Sequence, residues 1–181
     1  MGISEKSTAV MSGGSNCVNN VSKRWEVGAS QICSTTFEGL SLLSLALRYF
    51  PLPNELTNVS AKLQKLILLD NSGFSNHSGA DVLVHGKIGT LILQLPVERG
   101  HQGGNLNVEY KGRKKIFENH LRSDKNFYLS AFYNCCKYFT ESVTQGFKLT
   151  LVFDLICTNP KISIQLELPI FFTALDRKSV V

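Results

Sequence analysis

Three residues with metal-binding side chains lie close together in segment 71–87. His77, Asp81 and His85 follow one another at intervals of four residues, and imidazole and carboxylate groups are common ligands of transition metals. In an extended strand, residues four apart share a face but stand about 13 Å apart. One ion could bind His77 and Asp81 together only if the chain turned tightly around Gly79. Asp81 and His85 are also four residues apart, so the same distance would separate them in a strand.

Thiols are the second kind of side chain that could bind a metal. The cysteines are odd in number and form no Cys-x-x-Cys motif; they are Cys17, Cys33, Cys135, Cys136 and Cys157. Because the neighbouring pair 135–136 lies in an apolar run, we expect free, buried thiols. A site made of Cys136, His77 and Asp81 would suit zinc or copper(I), since thiolates are soft ligands.

The remaining histidines, His101 and His120, lie in polar loops, and no histidine follows His120 in the chain. We interpret both as surface residues without a partner. The glycines Gly103 and Gly104, which stand between them, are expected to serve the backbone turn of their loop.

Length and composition indicate a single globular domain. The chain has 181 residues, of which 43% are hydrophobic and 18% charged, with a formal net charge of +5 and an isoelectric point near 9.0. The tight basic cluster Lys111, Arg113, Lys114 and Lys115 fits a solvated hairpin tip, so we expect no nucleic-acid binding. Because we find neither a secretory signal nor an apolar stretch long enough to span a bilayer, we expect a cytoplasmic or nuclear protein.

One helix is predicted, over residues 37–50. Thr35 and Glu38 form a capping-box pattern at its start, and Pro51 follows its end. Its apolar face is predicted to consist of Leu40, Leu43, Leu47 and Phe50. The helix is therefore expected to pack against the core and to carry no chemistry. Residues 1–20, rich in Ser, Gly and Asn, are expected to form a loose tail.

From Lys62 onward the sequence favours strands. Apolar, aromatic and β-branched residues dominate short segments that are separated by Gly, Ser and Asn. The predicted strands are 62–70, 88–96, 105–110, 113–118, 126–136, 147–157 and 162–168, with a hairpin turn at Lys111-Gly112. One helix followed by at least six strands predicts a mostly β fold, either a sandwich, a barrel or a jelly roll.

Several blocks of the sequence, taken in order, resemble one family. The blocks are VSKRWEV (21–27), AKLQKLILLD (61–70), IGTLILQLPV (88–97), the Gly103-Gly104 pair with NLNVEYKGRKKIF (105–117), and SAFYNCCKYFTESVTQGFKLTLVFDL (130–155). They are similar to the prolyl 4-hydroxylase-type oxygenases that depend on iron(II) and 2-oxoglutarate. The resemblance implies a double-stranded β-helix, or jelly roll, over residues 21–158, and leaves 159–181 unmatched.

The resemblance also implies an iron centre with a bound cosubstrate. Enzymes of this family hold Fe(II) with a His-x-Asp pair on one strand and a distal His on a later strand. This arrangement leaves coordination positions open for 2-oxoglutarate and O2. A basic residue ten positions after the distal His pairs with the far carboxylate of 2-oxoglutarate.

Three of these four positions hold unsuitable side chains here. Carried over residue by residue, the proximal His of the family pattern falls on Ser78 and the Asp on Ala80. The distal His falls on Tyr138, so none of the three offers Fe(II) a good ligand. The anchor for 2-oxoglutarate falls on Lys148, which is still basic.

Two functional hypotheses follow. The first is a pseudoenzyme, a jelly-roll scaffold without a cofactor that binds a dicarboxylate through Lys148 or a protein partner through loop 71–87. The second is an active hydroxylase that uses Fe(II) and 2-oxoglutarate at a rearranged metal site built from His77, Asp81 or His85. Since three separate ligand positions are lost, the pattern favours the first. The substrate and the oligomeric state are not encoded in any motif that we recognise.

Overall fold

The computed structural model describes residues 24–32, 46, 58–77, 84–158 and 173–177, and for 75–77 and 173–177 it describes the backbone alone. Strands dominate these residues, and a short 3-10 helix (Ala29–Gln31) follows the first strand. The strands are β1 (Arg24–Gly28), β2 (Val59–Leu69), β3 (Ser75–His77), β4 (Lys87–Leu95), β5 (His101–Gly103), β6 (Leu106–Tyr110), β7 (Arg113–Phe117), β8 (Phe127–Tyr133), β9 (Lys137–Thr140), β10 (Val143–Gly146), β11 (Lys148–Cys157) and β12 (Thr173–Arg177).

The order of the strands identifies the architecture. The major sheet has the order β1-β2-β11-β4-β8-β12, the minor sheet has the order β3-β9-β6-β7, and β5 pairs with β10. All of these pairings are antiparallel. Along the chain the strands alternate between the sheets, from β2 to β3, to β4, to β6 and β7, to β8, to β9 and to β11. This repeated crossing between two antiparallel sheets is the topology of a jelly roll, so the predicted fold is confirmed.

The two faces of the major sheet bury different side chains. Because side chains alternate along a strand, Leu151, Phe153 and Leu155 of β11 lie on one face, where they form an apolar cluster with residues of β4 and β8. We call this the outer face. The opposite face contacts the other strands, since Val152 packs against Val143 of β10. We call it the inner face, and it contains Lys148.

The inner face also packs against the minor sheet. Ile92 of β4 and Phe132 of β8 share an apolar cluster with Leu106 and Val108 of β6. Burial of such a side chain contributes roughly 1.5–3 kcal/mol to stability. The hydrophobic contact between the sheets therefore fixes the inner face of the major sheet against β6.

Most of the predicted strands are present. The segment 88–96 is a central strand, because β4 lies between β11 and β8, and β6 and β7 form the predicted hairpin. Of the predicted helix 37–50 only Ala46 is described; it is helical and buried on the outer face. The predicted tail 1–20 and the predicted strand 162–168 lie outside the described residues. In the described part of the chain, no helix has the length and apolarity needed to cross a membrane.

Candidate carboxylate-binding site

Polar side chains are buried on the inner face of the major sheet. They are Thr90, Gln94, Ser130, Lys148, Thr150 and Asp154, each at most 8% exposed. Gln94 stands opposite Thr150 in the register of β4 and β11, and Thr90 stands opposite Asp154. The interior between the sheets is therefore polar near β11, unlike the apolar outer face.

Several of these polar atoms lack a partner within the described structure. Gln94 donates from Nε2 to the carbonyl oxygen of Asn119 at 2.7 Å, but its Oε1 and the Ser130 hydroxyl have no hydrogen-bond partner there. Buried polar atoms are normally satisfied by protein groups, water or a ligand. The inner face therefore has unused hydrogen-bonding capacity that a polar ligand could fill.

Lys148 is the basic residue of this set and stands at the start of β11. Its side chain is buried, with 2% of the residue exposed, and its Nζ donates to the carbonyl oxygen of Gly104 at 2.5 Å. Burial lowers the pKa of Lys148 to about 7, and the Glu141 carboxylate opposes that shift. The fold thus holds an amine where its positive charge is costly, and the Glu141 carboxylate offsets only part of that cost.

Gly104 brings the backbone close to Lys148. Its φ is +66°, and a Cβ atom there would lie 3.0 Å from Cγ2 of Val143 and 3.4 Å from Cδ of Lys148. Both the backbone angle and the close approach favour glycine. The Gly103-Gly104 pair forms the backbone turn of its loop, as predicted. It also positions the carbonyl group that accepts the Lys148 hydrogen bond.

His101 lies beside the same glycine, which contradicts the prediction that it is a surface residue. It is 3% exposed, and its Nδ1 is 3.1 Å from the carbonyl oxygen of Gly103. The backbone N–H of His101 donates to the Ser123 hydroxyl at 2.8 Å. Its loop was predicted from polar composition, but residues 101–103 form the strand β5, which pairs with β10. Burial and the nearby Lys148 lower the pKa of His101 to about 4.

An acidic residue and two amides complete the surroundings of Lys148. Glu141 accepts hydrogen bonds from Asn107 at 2.8 Å and from Asn105 at 3.1 Å. The Asn105 side-chain oxygen lies 3.1 Å from Nδ1 of His120. His120 is therefore half-buried and partnered, which corrects the prediction of a free surface histidine.

Asp154 lies at the other end of the inner face and already has a cationic partner. Its carboxylate is 2.6 Å from Nζ of Lys87 and accepts a hydrogen bond from Gln64. Because Lys87 and Asp154 neutralise each other, this ion pair offers an anion no unpaired positive charge. It differs in this respect from the end of the inner face that contains Lys148.

The three positions that the resemblance assigns to iron ligands are only partly described. Tyr138 lies on β9 and is half-buried, with its ring 4.7 Å from that of Phe132 between centroids. In the register of β3 and β9 it stands opposite His77. Ser78 and Ala80 lie outside the described residues. The ring of Tyr138 thus belongs to an apolar contact between the sheets.

The alternative metal ligands do not form a described cluster. His85 is exposed in the turn before β4, Asp81 is not described, and of His77 only the backbone is. Cys136 is buried as predicted, whereas Cys135 is exposed, contrary to the prediction, because the chain turns there after β8. Within the described ranges, no group of three His, Cys, Asp or Glu side chains could hold a metal ion.

Comparisons with known proteins give similarity at the level of structure. Neither the protein-family models nor the curated proteins include a match to this chain. A prolyl-4-hydroxylase from Pseudomonas putida is similar with 15% identity and a TM-score of 0.48, over 78% of this chain and 76% of that one. An oxidoreductase of the 2OG-Fe(II) oxygenase family from Burkholderia pseudomallei has 13% identity and a TM-score of 0.41, over 55% of this chain.

The chain spans 45% of the length of the Burkholderia protein. At these identities the similarity concerns the backbone arrangement, and no residue of this chain takes a role from it. Both proteins are oxygenases of the kind that the sequence blocks resemble.

Proposed function

We propose that this domain is a 2-oxoglutarate/iron(II) oxygenase-like jelly roll that binds a dicarboxylate through Lys148 without carrying out iron chemistry. The observation that carries the proposal is the buried ammonium group of Lys148 on a polar inner face. 2-Oxoglutarate is the dicarboxylate to test first, because Lys148 occupies the position of its anchor in the family that the sequence resembles.

The energetics of Lys148 support binding of an anion. A buried ammonium group is costly when its partner is a neutral carbonyl oxygen, and Lys148 donates to that of Gly104. A ligand carboxylate would form a charge-assisted hydrogen bond, which is about twice as strong as a neutral one. Binding would therefore stabilise the charged form of Lys148 and raise its pKa from about 7.

The side chains at the iron-ligand positions do not fit iron. Serine and alanine at 78 and 80 offer no imidazole or carboxylate, and neither does the phenol of Tyr138. Its ring packs against Phe132. We therefore derive no oxidative step for this domain, and the proposed activity is binding alone.

The test is a titration of the purified protein with 2-oxoglutarate, followed by thermal unfolding and by two-dimensional NMR. At a hundredfold excess over the dissociation constant, binding should stabilise the protein by about 2.7 kcal/mol. The Lys148→Met variant should show no such stabilisation. Lys125→Met is the matched control, because Lys125 is exposed and should leave binding unchanged. Equal binding by the Lys148→Met variant would refute the proposal.

Iron dependence is tested in the same experiment. Adding Mn(II) as an unreactive substitute for Fe(II) should leave the affinity for 2-oxoglutarate unchanged, since the proposed site contains no metal. An affinity that rises severalfold with Mn(II) would contradict the loss of the metal site. No binding of 2-oxoglutarate, with or without Mn(II), would refute the proposed function as a whole.

A second candidate is an active hydroxylase with a rearranged metal site. The pairing of His77 with Tyr138 favours it, because it places a histidine directly opposite the distal ligand position. Such an enzyme should release succinate from 2-oxoglutarate in the presence of Fe(II), ascorbate and a peptide library. His77→Ala should abolish that release, whereas Lys125→Met, at an exposed position outside the candidate metal site, should leave it unchanged. Absence of succinate above a no-protein control excludes this candidate.

A further inference from the structure

We propose that His101 binds the same ligand carboxylate as Lys148 and takes up a proton when the ligand binds. This inference rests on the proposed carboxylate site and adds a second contact to it. His101 is then a residue that couples the affinity for the ligand to pH. The resemblance assigns no role to this position, so the proposal depends on the geometry around Gly104.

The first observation is the placement of the two side chains. The position where a Cβ of Gly104 would stand is 3.4 Å from Cδ of Lys148 and 3.6 Å from Nδ1 of His101. The two side chains also contact successive carbonyl groups, since Lys148 donates to Gly104 and His101 contacts Gly103. The two side chains therefore approach the same glycine, which places the His101 ring near the Lys148 side chain.

The second observation is a buried nitrogen without a partner. The Nε2 atom of His101 is buried and has no hydrogen-bond partner in the described structure, although the residue is only 3% exposed. Buried polar atoms of this kind are uncommon in proteins. An unpartnered nitrogen on a ring that packs near the Lys148 side chain indicates a place for a polar group that the protein itself does not supply.

The hydrogen bond at the other ring nitrogen determines what Nε2 can do. A carbonyl oxygen only accepts, so Nδ1 of His101 carries the hydrogen that points to Gly103. In the neutral ring Nε2 is then an acceptor with a free lone pair. A carboxylate also only accepts, so it can bind Nε2 only if His101 gains a proton.

The surrounding charges explain why the free protein keeps His101 neutral. The charged and titratable groups around it are Lys148 on β11, His120 in the loop after β7, and Glu141 between β9 and β10, which acts on Lys148. Burial and the nearby Lys148 lower the pKa of His101 to about 4. A bound anion would offset both effects and raise it.

Calorimetry of 2-oxoglutarate binding at pH 5.5, repeated in buffers of different ionisation enthalpy, measures the coupled protons. In the free protein at this pH Lys148 is already protonated and His101 is neutral, given their pKa values of about 7 and about 4. The wild type should therefore take up about one proton on binding, and its affinity should rise as the pH falls from 7.5 to 5.5.

Two substitutions separate the contact that Nε2 makes with the ligand from the proton that His101 takes up. His101→Asn retains an amide near the Nδ1 position and removes Nε2, so binding should weaken about tenfold or more. His101→Gln places an uncharged donor near the Nε2 position, so it should retain most of the affinity but take up no proton through residue 101. Lys125→Met, at an exposed position, is the control, and it should leave both the affinity and the proton uptake at pH 5.5 unchanged.

The outcomes distinguish this inference from the proposed function. If the wild type and His101→Asn bind 2-oxoglutarate equally and take up the same number of protons, His101 makes no contact and the inference fails, while the carboxylate site stands. If the wild type does not bind at all, the proposed function itself is wrong. Nitrogen NMR of the histidine ring gives an independent reading, because Nε2 should change from unprotonated to protonated when the ligand is added.

Discussion

Replacement of Lys148 by methionine should stabilise the folded protein, and by an amount that depends on pH. Methionine fills a similar volume without the charge, so the variant avoids the cost of burying an ammonium group. The pKa of Lys148 falls from 10.5 in the unfolded chain to about 7 in the folded protein. At 1.36 kcal/mol for each pH unit, the full cost below pH 7 is on the order of 5 kcal/mol.

The pH dependence is the diagnostic part of this prediction. Because the folded pKa lies below the unfolded one, the unfolded chain binds more protons between pH 7 and pH 10.5. The contribution of Lys148 to stability therefore becomes more favourable as the pH rises through that interval. Between pH 7.5 and pH 9.5 the wild type should recover about 2 to 3 kcal/mol relative to Lys148→Met.

The assay is urea unfolding of both proteins, and of the exposed control Lys125→Met, at pH 7.5 and pH 9.5. The difference in free energy of unfolding between Lys148→Met and the wild type should shrink at the higher pH. Lys125→Met should follow the wild type at both values. A constant difference between Lys148→Met and the wild type would show that Lys148 is not a buried amine, and the carboxylate site would lose its main support.

Three further predictions concern the fold around the site. Asp154→Asn should cost about 3 kcal/mol of stability, because it leaves the Lys87 ammonium group beside a neutral amide. In urea unfolding, the double variant with Lys87→Met should lose less unfolding free energy than the two single variants lose together. Gly89→Ala should lower the melting temperature, because its Cβ would stand 2.6 Å from the Phe132 carbonyl oxygen, whereas Gly28→Ala, with open space around it, should not. Alkylation at pH 8 should modify the exposed Cys135 and spare Cys136, because burial raises the pKa of the Cys136 thiol to about 12. Equal labelling of the two cysteines in tandem mass spectra would contradict this prediction.

The strands could be predicted because their signals are local. Apolar, aromatic and β-branched residues mark β4, β8 and β11 directly in the sequence, and the turn at Lys111-Gly112 marks the hairpin. The pairing of β11 with both β2 and β4 has no local signal. It could be expected only from the resemblance to a family with this topology.

The candidate site was predicted less completely than the fold. Lys148 was singled out only by the family resemblance of its sequence block, and the structure shows that its side chain is buried. Its role as a ligand anchor stays a prediction. His101 was missed because Gly and Gln around it suggest an exposed loop, while its burial depends on the distant strand β10. The glycine pair that follows it was the available signal, since glycines often mark a close approach of the backbone.

The contact between Gly146 and Gly100 limits how this site can be altered. A Cβ at Gly146 would lie 2.3 Å from the carbonyl oxygen of Gly100, and every residue except glycine has that atom. Any substitution there would push β10 away from β5, and so move the strand on which His101 stands. Attempts to alter the proposed site should therefore keep position 146 fixed.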